Sequence, residues 1–159
     1  MKKIDLENLS TKEVNDLIRY EKYPLDPLQY QEVYNQIISN MIFEAHNYSC
    51  EIKDKSRNII YDFTVHTTPI ESRFSIGLRF TSVCKFLIRF DFGDTLKHKN
   101  NFGLSNETVI TGSHVHINSA TNKYKNKNVI PISSFEDFKN LKLIKDVFLE
   151  VINYTNIRN

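Results

Sequence analysis

The sequence predicts an α+β fold: two N-terminal helices, an antiparallel sheet of four to six strands, and a C-terminal helix packed on that sheet. Two observations carry this. The apolar residues keep a helical period up to about residue 42, alternate with a period of two from there to 117, and return to the helical period near 134. In the alternating stretches only one face is apolar, the mark of half-buried antiparallel strands.

The elements follow in order. Ser10-Thr11-Lys12-Glu13 has the form of a capping box. It opens a helix over 11–20, with Val14, Leu17 and Ile18 as its apolar stripe and Pro24 as its stop. Asp26-Pro27 starts a second helix with Pro at its first position, and Tyr30, Val33, Tyr34, Ile37 and Ile38 carry it to about residue 40. Strands are expected over 43–52, weakly, and over 58–66, where Ile59, Tyr61, Phe63 and Val65 share a face. Ile76, Leu78 and Phe80 mark the next. Cys84, Phe86, Ile88, Phe90 and Phe92 mark another, alternating with Lys85, Leu87, Arg89 and Asp91. Residues 109–117 read as a single last strand, and short loops make a meander the expected topology. Ser133 or Ser134 caps the final helix, whose stripe is Phe138, Leu141, Ile144, Val147, Phe148 and Val151.

Composition narrows the function classes. The 159 residues suit a single domain, and 40% hydrophobic content with 12% aromatics supplies one core. Four glycines leave no Gly-rich phosphate loop, and a net charge of +2 is low for a general nucleic-acid binder. The charge is uneven: residues 1–35 hold five Lys/Arg against seven Asp/Glu. Between 95 and 127, Lys97, Lys99, Lys123, Lys125 and Lys127 face Glu107 alone. Cys50 and Cys84 make no disulfide framework, and both are expected to be buried, inert thiols. The N-terminus lacks the apolar run of a signal peptide, so the expected compartment is the cytoplasm, with no membrane contact.

Chemistry concentrates between 89 and 116. His114 and His116 form H-x-H on an expected strand, where residues i and i+2 point the same way, about 6.5–7 Å apart. Arg89 and Asp91 share the polar face of their strand, and His98 follows in a loop. If the two strands are neighbours, Arg89, Asp91, His98, His114 and His116 converge on a site suited to a divalent metal, or to acid–base work on a phosphodiester. No third ligand stands at a fixed offset from H-x-H, and Arg89 opposes a cation, so no metal and no other cofactor is expected. No nucleophile motif occurs, and Ser113 points away from its neighbour His114. The basic tract with Tyr124 interleaved can meet phosphate, or serve as a solvated hairpin tip. The acidic N-terminal helices can dock on a basic partner.

FLIRFDF (86–92), HKNNFG (98–103) and GSHVHI (112–117) resemble a family of small uncharacterised bacterial and phage proteins. Those proteins carry R-x-D on a strand, an H-x-N-P-D-G-like turn and a G-x-H-x-H strand. The matching positions are Arg89 and Asp91, then His98, Asn100 and Gly103, then Gly112, His114 and His116; Asn101-Phe102 replaces the Pro-Asp of the turn. The resemblance implies no settled reaction. In size and in its Asn-, Lys- and Ile-rich composition, the chain is also similar to small anti-CRISPR proteins of phages and mobile elements that inhibit Cas9 nucleases.

That second resemblance implies a non-catalytic inhibitor in the host cytoplasm. Its partner would be the Cas9–guide RNA complex, bound without nucleic-acid specificity of its own. Cas9 must dock its HNH domain before cutting. A mildly basic chain is a poor duplex mimic, so a clamp on that domain is the expected mode. Tyr20, Tyr23 and Tyr124 with Lys97, Lys99, Lys123 and Lys125 are the candidate contacts. The alternative is a small nuclease or phosphodiesterase, toxin-like, working through the His98/His114/His116 region. A plain binding module is the third.

Overall fold

The computed structural model describes residues 3–39, 44–119 and 127–159. Helix α1 (Thr11–Arg19) begins at the expected capping box: Ser10 accepts from the Glu13 amide, and Glu13 reaches back to the Ser10 amide. A two-residue strand β1 (Tyr23–Pro24) follows, then α2 (Pro27–Ser39), whose first amides are capped by the Asp26 carboxylate. Strands β2 (His46–Asp54), β3 (Ile59–Thr67), β4 (Phe74–Phe80) and β5 (Phe86–Phe92) form the expected antiparallel meander.

After β5 the path departs from expectation. Residues 109–117 are two strands, β7 (Thr108–Thr111) and β8 (His114–Ile117), because Gly112 between them takes φ +93° and turns the chain. β7 pairs with β6 (Lys97–Asn100) in a separate hairpin, while β8 returns to pair with β5. His98, expected in a loop, therefore lies on a strand. β9 (Ile130–Pro131) closes that edge. The main sheet runs β1-β2-β3-β4-β5-β8-β9. Its five longer strands lie within the expected four to six, and the two-residue β1 and β9 extend it to seven. The C-terminal helix α3 (Ile144–Tyr154) starts ten residues after Ser134; a short 3₁₀ turn (Ile132–Ser134) and an irregular segment precede it, yet Phe138 still enters the core. Among the described residues no helix is long and apolar enough to cross a membrane.

All three helices cover one face of the sheet. Val14, Leu17, Ile37, Val147 and Phe148 bury against Phe63, Ile76, Leu78 and Phe90, all at most 1% exposed. The other face is polar. A bulge in β5 alters the alternation at one point: Leu78 pairs with Ile88, but Arg79 pairs with Phe86, so Leu87 is the extra residue. Leu87 and Ile88 both bury, and Phe86, expected in the core, is only half-buried and lies against Arg89 and Gly77 instead. Gly77 is needed there: a Cβ would stand 3.0 Å from the Phe86 ring and 3.1 Å from Arg89 Cγ. Cys50 is buried as expected, whereas Cys84 falls in the exposed turn before β5.

Among the described residues two charged side chains sit inside: Asp54, which pairs with Arg57, and Lys22. Lys22 is fully buried between the C-terminal ends of α1 and α3, and donates to the carbonyls of Ile18 (2.9 Å), Tyr20 (2.7 Å) and Thr155 (2.8 Å). The ammonium has three donors and meets three orphan carbonyls, at the helix ends where the dipole favours a cation.

Candidate functional site

The register of β5 against β8 sets the site. Arg89 stands opposite His116, and Asp91 opposite His114, so four side chains form one patch on the polar face. Asp91 is its hub. Arg89 donates through Nε and Nη2 to its two oxygens, at 2.9 Å each. His116 Nε2 lies 3.0 Å from Oδ2, and His114 Nε2 lies 3.6 Å from the same oxygen. A forked guanidinium–carboxylate pair of this kind is strong and directional.

The fifth residue arrives from the hairpin. The His98 ring centre lies 5.6 Å from that of His114 and 5.4 Å from that of His116, with 5.1 Å between the latter two. One nitrogen from each of the three rings lies within 4.8 Å of the others. The third imidazole that H-x-H lacks in sequence spacing is thus supplied by a strand folding back. Amides hold it there. Asn100 donates to the Val129 carbonyl (2.8 Å) and accepts from the Val129 amide (2.9 Å). Asn128 accepts from the Asn101 amide (2.8 Å) and donates to the Asn101 side chain (3.0 Å). Asn101 takes φ +54°, a conformation Asn tolerates better than most residues. Asn100 and Asn101 lie in the HKNNFG stretch, whose polar, turn-forming composition was the signal available for them.

Electrostatics differ among the groups. Burial alone would raise the Asp91 carboxyl; the contacts with His114, His116 and Arg89 outweigh it and hold the carboxyl well below the usual carboxylate range. Burial pulls the His114 imidazole down, but Asp91 and the Gly112 carbonyl overcome this and leave it raised. For His116, burial wins over the Asp91 contact, the Arg89 guanidinium adds to it, and the ring is lowered.

Arg89 and His116 form one wall of a cavity of about 670 Å³. Lys85, Phe86, Asn118 and Lys127 line the rest of it, so its charge is cationic except at Glu7, which pairs with Lys85 at 3.0 Å. Sequence reasoning missed Lys85 and Asn118 as lining residues, because the turn that carries Lys85 gives no periodic signal.

A family model matches residues 9–157, a span that takes in all three helices and both sheets. The chain belongs to DUF6978, a family of unknown function. No curated protein and no solved structure matches it. The Arg89/Asp91/His98/His114/His116 cluster lies wholly inside the DUF6978 span.

Of the expected partner contacts, the four described ones, Tyr20, Tyr23, Lys97 and Lys99, lie on two separate parts of the molecule. Lys123, Tyr124 and Lys125 lie outside the described residues. Tyr20 and Tyr23 are half-buried near β1, at the far edge of the sheet from β8. Five strand steps of about 4.8 Å separate those edges, roughly 24 Å. Arg57 stacks on the Tyr20 ring, and the Tyr23 hydroxyl donates to Glu21 at 2.8 Å. Lys97 and Lys99 are exposed on the hairpin, beside exposed Phe102, Leu104 and Val109.

Proposed function

We propose that this protein is a cytoplasmic phosphodiester-cleaving enzyme, acting on single-stranded nucleic acid or a smaller nucleotide ester. One observation carries it: five chemically capable side chains, Arg89, Asp91, His98, His114 and His116, converge from three strands, and two of them, Arg89 and His116, line a cationic cavity. A cavity of about 670 Å³ is within the ordinary range for a small-ligand site. The fork to Asp91 uses two of the five donors of Arg89, so the guanidinium keeps donors for a phosphate. Imidazoles beside it are the usual carriers of protons in phosphoryl chemistry near neutral pH. In this reading Arg89 holds the phosphate and neutralises its charge. The histidines move protons, or hold the group that does, and Asp91 fixes the orientation of Arg89 and His116.

The test is cleavage of end-labelled single-stranded RNA and DNA by tag-free protein, beside Arg89→Ala and His116→Ala. Cleavage lost in both variants supports the proposal. Products that persist unchanged in both variants, or their complete absence with RNA, DNA and cyclic or linear dinucleotides alike, refute it.

A second reading, a clamp on the HNH domain of Cas9, is supported by the hairpin. Phe102, Leu104 and Val109 are each more than half exposed beside Lys97 and Lys99, an apolar and basic knob of the kind that anchors protein interfaces. Cas9–guide RNA would then still bind target DNA in its presence and fail to cut it. Abolished DNA binding, or no effect on either step, refutes the clamp.

A further inference from the structure

We propose that His98, His114 and His116 bind one divalent transition ion of the zinc type, with water completing the coordination. The inference deepens the phosphodiesterase reading, and rests on it only for what the ion would do. Its grounds are the hydrogen bonds on the far side of each ring.

Only an N–H can sit opposite a carbonyl oxygen. His98 Nε2 lies 2.7 Å from the Lys127 carbonyl, and His114 Nδ1 lies 2.9 Å from the Gly112 carbonyl, so both nitrogens donate. His116 Nε2 lies 3.0 Å from both the Asp91 carboxylate and the Arg89 Nη2, and is held between them. His98, tethered through Nε2, in its neutral form carries its lone pair on Nδ1; His114, tethered through Nδ1, turns Nε2 toward Asp91 Oδ2 at 3.6 Å. Metal-binding histidines are held in this way: the outer nitrogen donates to a backbone carbonyl or a carboxylate, which fixes the tautomer and the ring's orientation. His98 and His114 share the pattern, through two separate carbonyls, and the third ring, His116, is fixed between Asp91 and Arg89.

Distances are compatible with closure. Tetrahedral coordination with bonds of about 2.0–2.1 Å places ligand nitrogens roughly 3.4 Å apart. One nitrogen of each ring lies within 4.8 Å of the others, so that set needs to close by at most about an ångström and a half. His98 is half-exposed on a two-stranded hairpin and is the ring best able to move. Arg89 does not veto a cation here, because its charge is forked onto Asp91 and the pair is neutral as a unit. Three imidazoles without a fourth protein ligand form an open site of the catalytic kind, and imidazole is a suitable donor for zinc, cobalt, nickel or copper.

The experiment uses tag-free full-length protein, stripped with chelator and titrated with Zn²⁺ alone, by calorimetry and by elemental analysis after gel filtration. Co²⁺ is the spectroscopic probe. The expected result is one ion per chain, a rise in melting temperature, and a visible Co²⁺ band of low-symmetry type. His114 is buried and its removal can damage the fold, so the informative variant is His98→Ala on the half-exposed hairpin. It should weaken Zn²⁺ binding about 100-fold or more, since even outer-shell changes cost about 10–100-fold. No retained ion, or equal binding by His98→Ala, overturns the proposal. The two readings separate cleanly. Cleavage that survives chelator sinks the metal and keeps the enzyme; Zn²⁺ held through His98 with no cleavage of any substrate does the reverse.

Discussion

Lys22→Met removes the only buried ammonium among the described residues and keeps nearly the same length of chain. In its place three carbonyls, those of Ile18, Tyr20 and Thr155, lose donors at 2.7–2.9 Å. Each acceptor left unsatisfied in the interior costs about 1 kcal/mol at the low end, so the variant should lose about 3 kcal/mol at pH 7. The pH dependence sharpens this. Burial pushes the Lys22 ammonium down to about 7, with Asp54 opposing and Arg57 assisting. Its unfolded value is near 10.4, so between these limits the unfolded chain holds a proton that the folded chain has shed. Stability from this group therefore rises with pH through that window. From pH 7 to pH 9 the gain is about 2 kcal/mol. The deficit of Lys22→Met should thus widen from about 3 to about 5 kcal/mol over the same range, other groups cancelling in the difference. Urea unfolding of both proteins at pH 7, 8 and 9 measures it. A deficit that stays constant with pH would show that the three carbonyls hold the proton on, and a deficit below about 1 kcal/mol would refute the capping role itself.

Further substitutions probe the site. Gly77→Ala places a Cβ 3.0 Å from the Phe86 ring and should cost about 1–3 kcal/mol in urea unfolding; adding Phe86→Leu should recover most of it if the ring is the obstacle. Asn100→Ala removes both hydrogen bonds to Val129, a local loss of about 2 kcal/mol, and should raise amide exchange in Lys97–Asn100 and Thr108–Thr111 while the core strands stay protected. Asp91→Leu should lower the melting temperature, because it strands the Arg89 guanidinium and the His116 ring together, and nucleic-acid cleavage should vanish with it.

Much of this architecture was legible, and the failures have local causes. The period of two placed Arg89 and Asp91 on the polar face, and the parity of H-x-H placed His114 and His116 together. What parity cannot give is pairing: that β8 lies beside β5 depends on the hairpin leaving the sheet and returning. Gly112 was the sign of that departure. The alternation reads straight through it, since a single residue at φ +93° changes direction without changing parity. Leu87 was likewise a sign. An apolar residue among Lys85, Arg89 and Asp91 breaks the expected alternation, and the bulge puts it in the core and Phe86 outside. Cys84 lay beyond the strand's end, where parity has no meaning. The final helix began later than its serine signal because Phe138 and Leu141 fit helical spacing and yet pack from an irregular segment. Lys22 had no signal at all, because its burial is created by two helix ends separated by more than 130 residues.

The polar cluster is costly as a structural device, and that cost is the argument for its use. Asp91 is 14% exposed and His114 only 5%, so both are largely removed from water. Burying a carboxylate, a guanidinium and imidazoles is at best neutral against apolar side chains of similar size. The same sheet demonstrates the cheaper solution a few ångströms away, where its inner face is filled by Phe63, Ile76, Leu78 and Phe90. Nor is the cluster needed to join β5 to β8, since backbone pairing from Ile88–Ile117 to Asp91–His114 does so already. What it does achieve is orientation. One carboxylate fixes a guanidinium and a histidine, backbone carbonyls fix two more histidines, and asparagines pin the hairpin that delivers one of them. Side chains held by outer hydrogen bonds and left with unused donors or lone pairs on the inner side are arranged for a ligand.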